Sequence, residues 1–205
     1  NCAKKANINV PIVVATDDEL IANTIKEYGG IALITSKKHE SGSDRIYEAL
    51  EKFDPIKKYN KIIHLQGDLL NISGGLIRKL AEVINDPSRE ITTVVVKATP
   101  EEFDDESVVK AAITFSKENP EINDVGRALY FSRACIPTGN TKIWHHIGIY
   151  AWQRNILEKF VNLKPSPLEK SERLEQLRAL EAGINIHTIL TSEHPIGVDT
   201  KSDLK

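Results

Sequence analysis

The residues of this chain best suited to chemistry are carboxylates that follow apolar runs. Asp68 closes Gln66-Gly67-Asp68, directly after the apolar positions Ile62, Ile63 and Leu65 of KIIHLQGDLL (61–70). That run reads as a buried strand, and ligands collect at the carboxyl ends of strands in open α/β sheets. Gly67 would let the chain turn close to a ligand and leave Asp68 to hold a divalent cation. On the tripeptide alone, the capping of a turn is the plainer reading. Asp199, in Gly197-Val198-Asp199-Thr200, would supply a second carboxylate. Two carboxylates suit a hard cation such as Mg²⁺, which takes one or two of them together with substrate oxygens.

Other polar groups sit where a substrate could be gripped. Arg133 ends the run Phe131-Ser132-Arg133 and could hold a carboxylate or phosphate bidentately, or equally form a surface ion pair. His145 and His146 are adjacent; in a strand they point to opposite faces, so at most one faces a site. Glu175 and Gln176 flank the apolar Leu174 and Leu177, a position that is ordinarily just solvated. His39-Glu40-Ser41-Gly42-Ser43-Asp44-Arg45 opens a helix whose free N–H groups favour an anion or a base. An ordinary N-cap by Ser43 explains the same pattern. The sequence has no Walker loop, HExxH, nucleophile elbow or Rossmann GxGxxG.

The elements that must position these groups alternate. Residues 10–15 read as a strand, and Thr16 to Glu19 as a capping box. A helix follows with Leu20, Ile21, Thr24, Ile25 and Tyr28 on one face, stopped by Gly29-Gly30, and residues 31–35 form a second strand. Strand, helix, strand argues for a parallel sheet. Ile46, Ala49, Leu50 and Phe53 mark the inner face of the next helix, and Ser73 caps one carrying Leu76, Ile77, Leu80, Val83 and Ile84. Strands are predicted over 91–98, 108–115, 128–133, 146–152 and 184–191. Helices are predicted over 154–163 and 168–182, with a last one capped by Thr200. The acidic run 101–106 reads as a solvated loop.

At 205 residues and 40% hydrophobic content, the chain can bury a sizeable core. A net charge of −2 gives no pull toward nucleic acid or a membrane surface. No apolar run has the length of a membrane span and no signal-peptide h-region opens the chain. Two cysteines are too few for a disulfide framework. These features predict one cytoplasmic domain, residues 1–205. The absence of methionine, even at position 1, predicts a chain processed, excised or incomplete at its start.

VVATDDE (13–19), SGSDR (41–45), QGD (66–68), ALYFSR..IP (128–137), HIGIY (146–150), PSPLEKSERLEQLRALEAG (165–183) and GVDT..DL (197–204) occur in this order. As a set they resemble the 3-deoxy-manno-octulosonate cytidylyltransferases, the CMP-KDO synthetases of lipopolysaccharide assembly. The resemblance covers essentially the whole chain. It implies a sugar nucleotidyltransferase-like α/β fold, a mostly parallel sheet flanked by helices, with a strand-rich arm at about 127–152 that pairs two subunits into a homodimer. Tyr130, Ile136, Ile149 and Trp152 are the arm's candidate contacts.

By the same resemblance Asp68 and Asp199 hold Mg²⁺. Ser41, Gly42, Asp44, Arg45 and Gln66 bind the nucleotide, CTP. Arg133, His146, Tyr150, Glu175 and Gln176 form the pocket for the sugar acid, 3-deoxy-manno-octulosonate. Two departures lie on the nucleotide side. The family's first strand and its triphosphate loop, resembling PARxxSxRLPGKPL, have no counterpart here, and the family's QGDEP reads Gln66-Gly67-Asp68-Leu69-Leu70. Two readings follow: an enzyme of this family whose N-terminal segment is missing from the sequence given, which as written would be inactive, or a non-catalytic relative that keeps the fold, the dimer arm and the sugar-acid pocket. An ordinary glycosyltransferase would lack this motif set.

Overall fold

Short apolar runs and capped amphipathic helices alternate along the chain. The computed structural model describes residues 2–39, 41–139, 142–194 and 196–197. In order, the elements are α1 (Cys2–Lys5), β1 (Val13–Thr16), α2 (Glu19–Glu27), β2 (Ile31–Ile34), α3 (Gly42–Phe53), β3 (Lys61–His64) and β4 (Leu69–Leu70). There follow α4 (Gly74–Val83), β5 (Ile91–Lys97), a 3₁₀ turn (Pro100–Glu102), β6 (Lys110–Thr114), β7 (Val125–Ser132) and β8 (Trp144–Gln153). The last are α5 (Arg154–Val161), α6 (Pro167–Glu172), α7 (Gln176–Glu181), β9 (Ile186–Thr191) and β10 (Ile196–Gly197).

The main sheet has six strands in the order β3-β8-β5-β9-β7-β6. Strands β3, β5, β9 and β6 run in one direction, while β8 and β7 run against them. Because β8 and β7 sit among the other four, β5–β9 is the only parallel ladder of this sheet among the described residues. The physical reason is in the connections. A parallel neighbour requires a crossover element, and the chain between β6 and β7 has none, so it returns antiparallel. Strands β1 and β2 pair in parallel with each other as a separate two-stranded sheet.

Each face of the main sheet is covered. Ile91, Val95, Tyr150, Trp152 and Ile186 pack with Leu157 and Phe160 of α5 and with Leu174, Leu177 and Ala179 around α7. The opposite face, with Val94, Val96, Ile147, Ile149, Ala151 and Ile189, packs against Leu76, Ile77, Leu80 and Val83 of α4. This alternation along β5 and β8 is the period-2 pattern of a sheet buried on both sides. It also corrects the expected dimer contacts. Ile149 and Trp152 are 0% and 2% exposed, so they fill the subunit's own core and are not free to meet a second copy.

Several boundaries differ from the sequence expectation. The cap of α2 is Asp18, whose carboxylate accepts the N–H groups of Leu20 and Ile21, not Thr16, which ends β1 and accepts the Asp18 N–H. Aspartate caps as well as threonine and stands nearer the first free N–H groups. Ala22 is the buried residue of α2, whereas Leu20 and Tyr28 of the expected inner face are 75% and 81% exposed. Ser41 caps α3, so Ser43 lies inside the helix. Ser73 caps α4 as expected. The single helix expected over 168–182 is two, α6 and α7, divided where Arg173 takes a left-handed conformation with φ 57°. The expected helix capped by Thr200 lies outside the described residues.

Candidate active site

Three neighbouring strands of the main sheet carry buried polar side chains on one face. His64 of β3 pairs with Tyr150 of β8, and Tyr150 pairs with Thr93 of β5, so the three side chains share a face. Between Thr93 and Val94 the register on β8 jumps from Tyr150 to Ile147, a bulge that holds Gly148 and Ile149. Bulges re-aim side chains beside sites, and here the local bonding shows how. The Thr93 hydroxyl lies 2.8 Å and 3.2 Å from the carbonyl oxygens of Ile149 and Ile147, and 2.9 Å from Nε2 of His146. With the hydroxyl donating to a carbonyl, Nε2 carries the imidazole proton. Burial pushes His146 down to about 3 and His64 down to about 4, so both rings are neutral near pH 7.

The glycine in the bulge matters for a second reason. A Cβ on Gly148 would stand 2.9 Å from the amide nitrogen of Gln66, so the bare backbone leaves room for that side chain. A comparable approach joins α3 to β3. A Cβ on Gly42 would stand 3.0 Å from Cε1 of His64.

The start of α3 forms one wall. Ser41 accepts the Asp44 N–H at 3.2 Å and returns its own hydroxyl proton to Asp44 Oδ2 at 3.0 Å. Arg45 is fixed by Thr35 Oγ1 at 2.8 Å and Asp17 Oδ1 at 2.9 Å, the residues just past β2 and β1. The connection into α3 is pinned by Glu48, which accepts from Lys52 and from the Ser36 N–H and touches His39. Those bonds, Lys52 first, hold its carboxyl down at about 2.

The opposite wall is the joint between α6 and α7. The hydroxyl of fully buried Ser43 donates to Glu175 Oε1 at 2.8 Å, across 132 positions of sequence. Glu175 Oε2 is buried without a partner among the described residues. Burial outweighs the Ser43 hydrogen bond and pushes the Glu175 carboxyl above the usual range. Burial, and then the charge of Glu175, raises the Tyr150 hydroxyl well above 10. Gln176, 5% exposed, begins α7. Neither Glu175 nor Gln176 is a solvated flank. A cleft of about 610 Å³ opens beside them, lined by Ser41, Asp44, Arg173, Glu175 and Arg178 among others.

Arg133 is half-buried just past β7, its Nε donating to the Glu172 carbonyl at 3.3 Å and Nη1 to the Glu106 carbonyl at 2.9 Å. The described bonds of its guanidinium run to backbone carbonyls, so a surface ion pair is not what holds the side chain. His145, on the other face of β8 from His146, bonds Glu102 at 2.9 Å, and that glutamate is thereby drawn out of the expected solvated loop.

Asp68 occupies the turn between β3 and β4, half-buried, where the sequence placed it. The β4–β10 ladder sets Leu69 opposite Gly197, the first residue of the Gly-Val-Asp-Thr segment. Asp199 itself lies outside the described residues. Among the described residues no group of three or more His, Cys, Asp or Glu is placed to hold a metal ion. One carboxylate beside a strand end is nevertheless the donor set Mg²⁺ uses when substrate oxygens complete its shell.

Sequence reasoning passed over Thr93, His64, Gly148 and Glu172. Each acts through a bulge, a close approach or a long-range bond, and none of these has a local spacing to read.

A mixed sheet covered by helices on both faces, with polar groups gathered at the end of β3 and the start of α3, is an α/β architecture that many functions share. The fold is similar to that of a glucose-1-phosphate thymidylyltransferase from Bacillus anthracis, at a TM-score of 0.59 and 14% identity over 98% of this chain and 75% of that one. The chain belongs to the cytidylyltransferase family, whose model matches residues 2–186, and it is by family a nucleotidyltransferase. It is 47% identical to a 3-deoxy-manno-octulosonate cytidylyltransferase of Brucella anthropi, over 94% of this chain and 76% of that protein. It is 46% identical to the enzyme of the same name from Bartonella henselae, over 99% of this chain and 82% of that protein. A solved CMP:2-keto-3-deoxy-manno-octonic acid synthetase complexed with CTP superposes with a TM-score of 0.85 at 32% identity, covering 98% of this chain and 82% of that one.

Proposed function

We propose that this protein transfers the cytidylyl group of CTP to 3-deoxy-manno-octulosonate, giving CMP-octulosonate and pyrophosphate for lipopolysaccharide assembly. The observation that carries the reading is the Ser43–Glu175 bond. It brings the helix start expected to face the cytosine against the joint expected to hold the sugar acid. The relatives named above support the same substrates.

In this reaction the anomeric hydroxyl oxygen of the sugar attacks the α-phosphorus of CTP, and the bond from that phosphorus to the pyrophosphate oxygen breaks. The residues of the chain align the two reactants, a contribution that needs no covalent intermediate. Ser41, Gly42 and Asp44 face the base, with Arg45 held rigid beside them, and Gln66 reaches over Gly148 toward the same ligand. His146 and Tyr150, neutral and buried, offer uncharged hydrogen-bonding groups to sugar hydroxyls. Arg133 grips the sugar carboxylate with the guanidinium hydrogens not taken by backbone carbonyls. Asp68, with Asp199, would hold Mg²⁺, which supplies charge neutralisation on the phosphates when bound.

The protein would act in the cytoplasm as a homodimer. No helix among the described residues is long and apolar enough to cross a membrane. Leu129, 51% exposed on β7, and half-buried Tyr130 and Ile136 are the arm residues available to a second subunit. A second reading, that the 205-residue chain by itself does not turn over, is favoured by one observation. Strands β1 and β2 stand as a sheet apart from the main one, so the wall carrying Asp17 and Thr35 lacks a ladder to β3 among the described residues.

The test is incubation of the purified chain with CTP, Mg²⁺ and octulosonate, following pyrophosphate and CMP-sugar. Stoichiometric product supports transfer. Binding of octulosonate without turnover supports the second reading, and failure to bind either substrate overturns both.

A further inference from the structure

One carboxylate joins the two halves of the proposed sugar-acid pocket. Glu172 is the last residue of α6. Its side chain accepts the Ser132 hydroxyl at 2.9 Å and 3.0 Å, the Arg133 backbone N–H at 3.1 Å and the Tyr130 hydroxyl at 3.3 Å. Its backbone carbonyl accepts Arg133 Nε at 3.3 Å. Main chain and side chain of one residue therefore hold the end of β7, and both sides of the grip converge on Arg133.

The next residue shows why the grip matters beyond β7. Arg173 is left-handed, at φ 57° and ψ 45°, a conformation that is unfavourable for a residue with a Cβ. It turns the chain out of α6, so that Leu174 is buried at 6% exposure and Glu175 meets Ser43. A strained joint persists only where the surroundings over-determine it. Here one side is over-determined by Glu172 on β7 and the other by Glu175 on α3. The separation between Arg133 and Glu175 is thus set by Glu172 and the turn that follows it.

We infer that Glu172 is a positioning residue of the sugar-acid pocket, which orients Arg133 and fixes its spacing to Glu175 and Gln176 without touching the sugar. This rests on the pocket assignment made above. Glutamine at this position keeps the shape but removes the charge and leaves one acceptor oxygen where the carboxylate offers two to the Ser132 and Tyr130 hydroxyls and the Arg133 N–H.

The experiment is calorimetric titration of octulosonate and, separately, of CTP into the wild type, Glu172→Gln, Arg133→Ala and the double variant. Loss of a charge-assisted bond network should weaken octulosonate about tenfold or more in Glu172→Gln while CTP affinity stays within about twofold. A merely structural role would lower both affinities together and would overturn the proposal. Acting through Arg133 also requires that the double variant bind octulosonate no more weakly than Arg133→Ala alone; additive losses would overturn it. Wild-type octulosonate affinity in Glu172→Gln, with Arg133→Ala weakened, removes the proposal and leaves the pocket standing. Undiminished binding in Arg133→Ala removes the pocket and the proposal with it. Should Glu172→Gln fail to fold, Ser132→Ala takes its place. It deletes one donor to the same carboxylate and should shift octulosonate alone in the same direction, and an unmoved affinity there overturns the proposal.

Discussion

Ser43 and Glu175 stand 132 positions apart and meet in a hydrogen bond of 2.8 Å. The serine is fully buried inside α3, and the other oxygen of the glutamate has no partner among the described residues. One hydroxyl therefore carries much of the solvation of a carboxyl that burial has already pushed up.

Ser43→Ala should destabilise the fold by about 1–3 kcal/mol, the range for leaving a buried acceptor without its donor. The sign with pH follows from the raised carboxyl. Its folded pKa lies above the unfolded value, so the neutral form is favoured in the fold, and stability is lost as pH rises through the folded pKa. Removing the donor raises that pKa further. The deficit of the variant should therefore be small at pH 4.5 and full at pH 8, measured by urea unfolding of both proteins. A deficit independent of pH would mean that the bond does not bear on the charged form.

His64 and His146 predict the opposite slope. Burial lowers them to about 4 and about 3, below the ordinary imidazole value of 6.5. The unfolded chain then binds more protons than the folded one in the window between, so their contribution is fully present above about pH 6.5 and is lost as pH falls through the folded values. Each group contributes a slope of up to about 1.4 kcal/mol per pH unit inside the window. Unfolding midpoints should drop from pH 7 to pH 5, and His64→Asn should flatten the drop. An unchanged slope in that variant would place the acid sensitivity elsewhere.

Much of the fold could be read from apolar runs because a sheet buried on both faces writes itself as continuous strands, as Ile91–Lys97 does. The break between α6 and α7 could not. Arginine has no special claim on a left-handed conformation, and Arg173 takes one because Glu172 and Glu175 are held by other elements. The same limit explains Ser43. Its sequence neighbourhood offers two serines that cap equally well, and the partner that decides between them, Glu175, is supplied by tertiary packing. The burial of Glu175 and Gln176 had no local signal, since polar residues beside a leucine stripe are ordinarily solvated.

Asp54 and Arg154 anchor the far end of α3. Arg154 Nη1 lies 2.6 Å from Asp54 Oδ2, Nη2 lies 2.7 Å from Glu51, and Asp54 also accepts the N–H groups of Lys58 and Tyr59. Burial alone would raise the Asp54 carboxyl, but these bonds outweigh it and hold it low. Removing one member of a buried pair leaves the other uncompensated. Asp54→Ala should therefore lower the urea midpoint well beyond the effect of Lys57→Ala, which breaks the exposed pair with Glu158. Replacing both Asp54 and Arg154 by apolar residues should recover part of the loss. Equal effects from Asp54→Ala and Lys57→Ala would show that the pair does not fix α3.

Gly148→Ala separates the site from the fold most cleanly. The added methyl group would stand 2.9 Å from the amide nitrogen of Gln66 and 3.4 Å from its Cδ. What it meets is the far end of a flexible, exposed side chain, so Gln66 swings away and the backbone of β8 stays in place. The fold should lose less than about 1 kcal/mol, since alanine also restricts the unfolded chain more than glycine does. If Gln66 contacts the nucleotide, its displacement removes about one neutral hydrogen bond, worth about 0.5–1.5 kcal/mol, or a fall in CTP affinity of about 2- to 10-fold. Gln66→Ala should give a fall of the same size, and combining the two should add nothing, because both delete one contact. Octulosonate affinity should hold in all three proteins. A lower unfolding midpoint with unchanged CTP affinity would show that Gly148 serves the bulge alone and that Gln66 lies outside the nucleotide site.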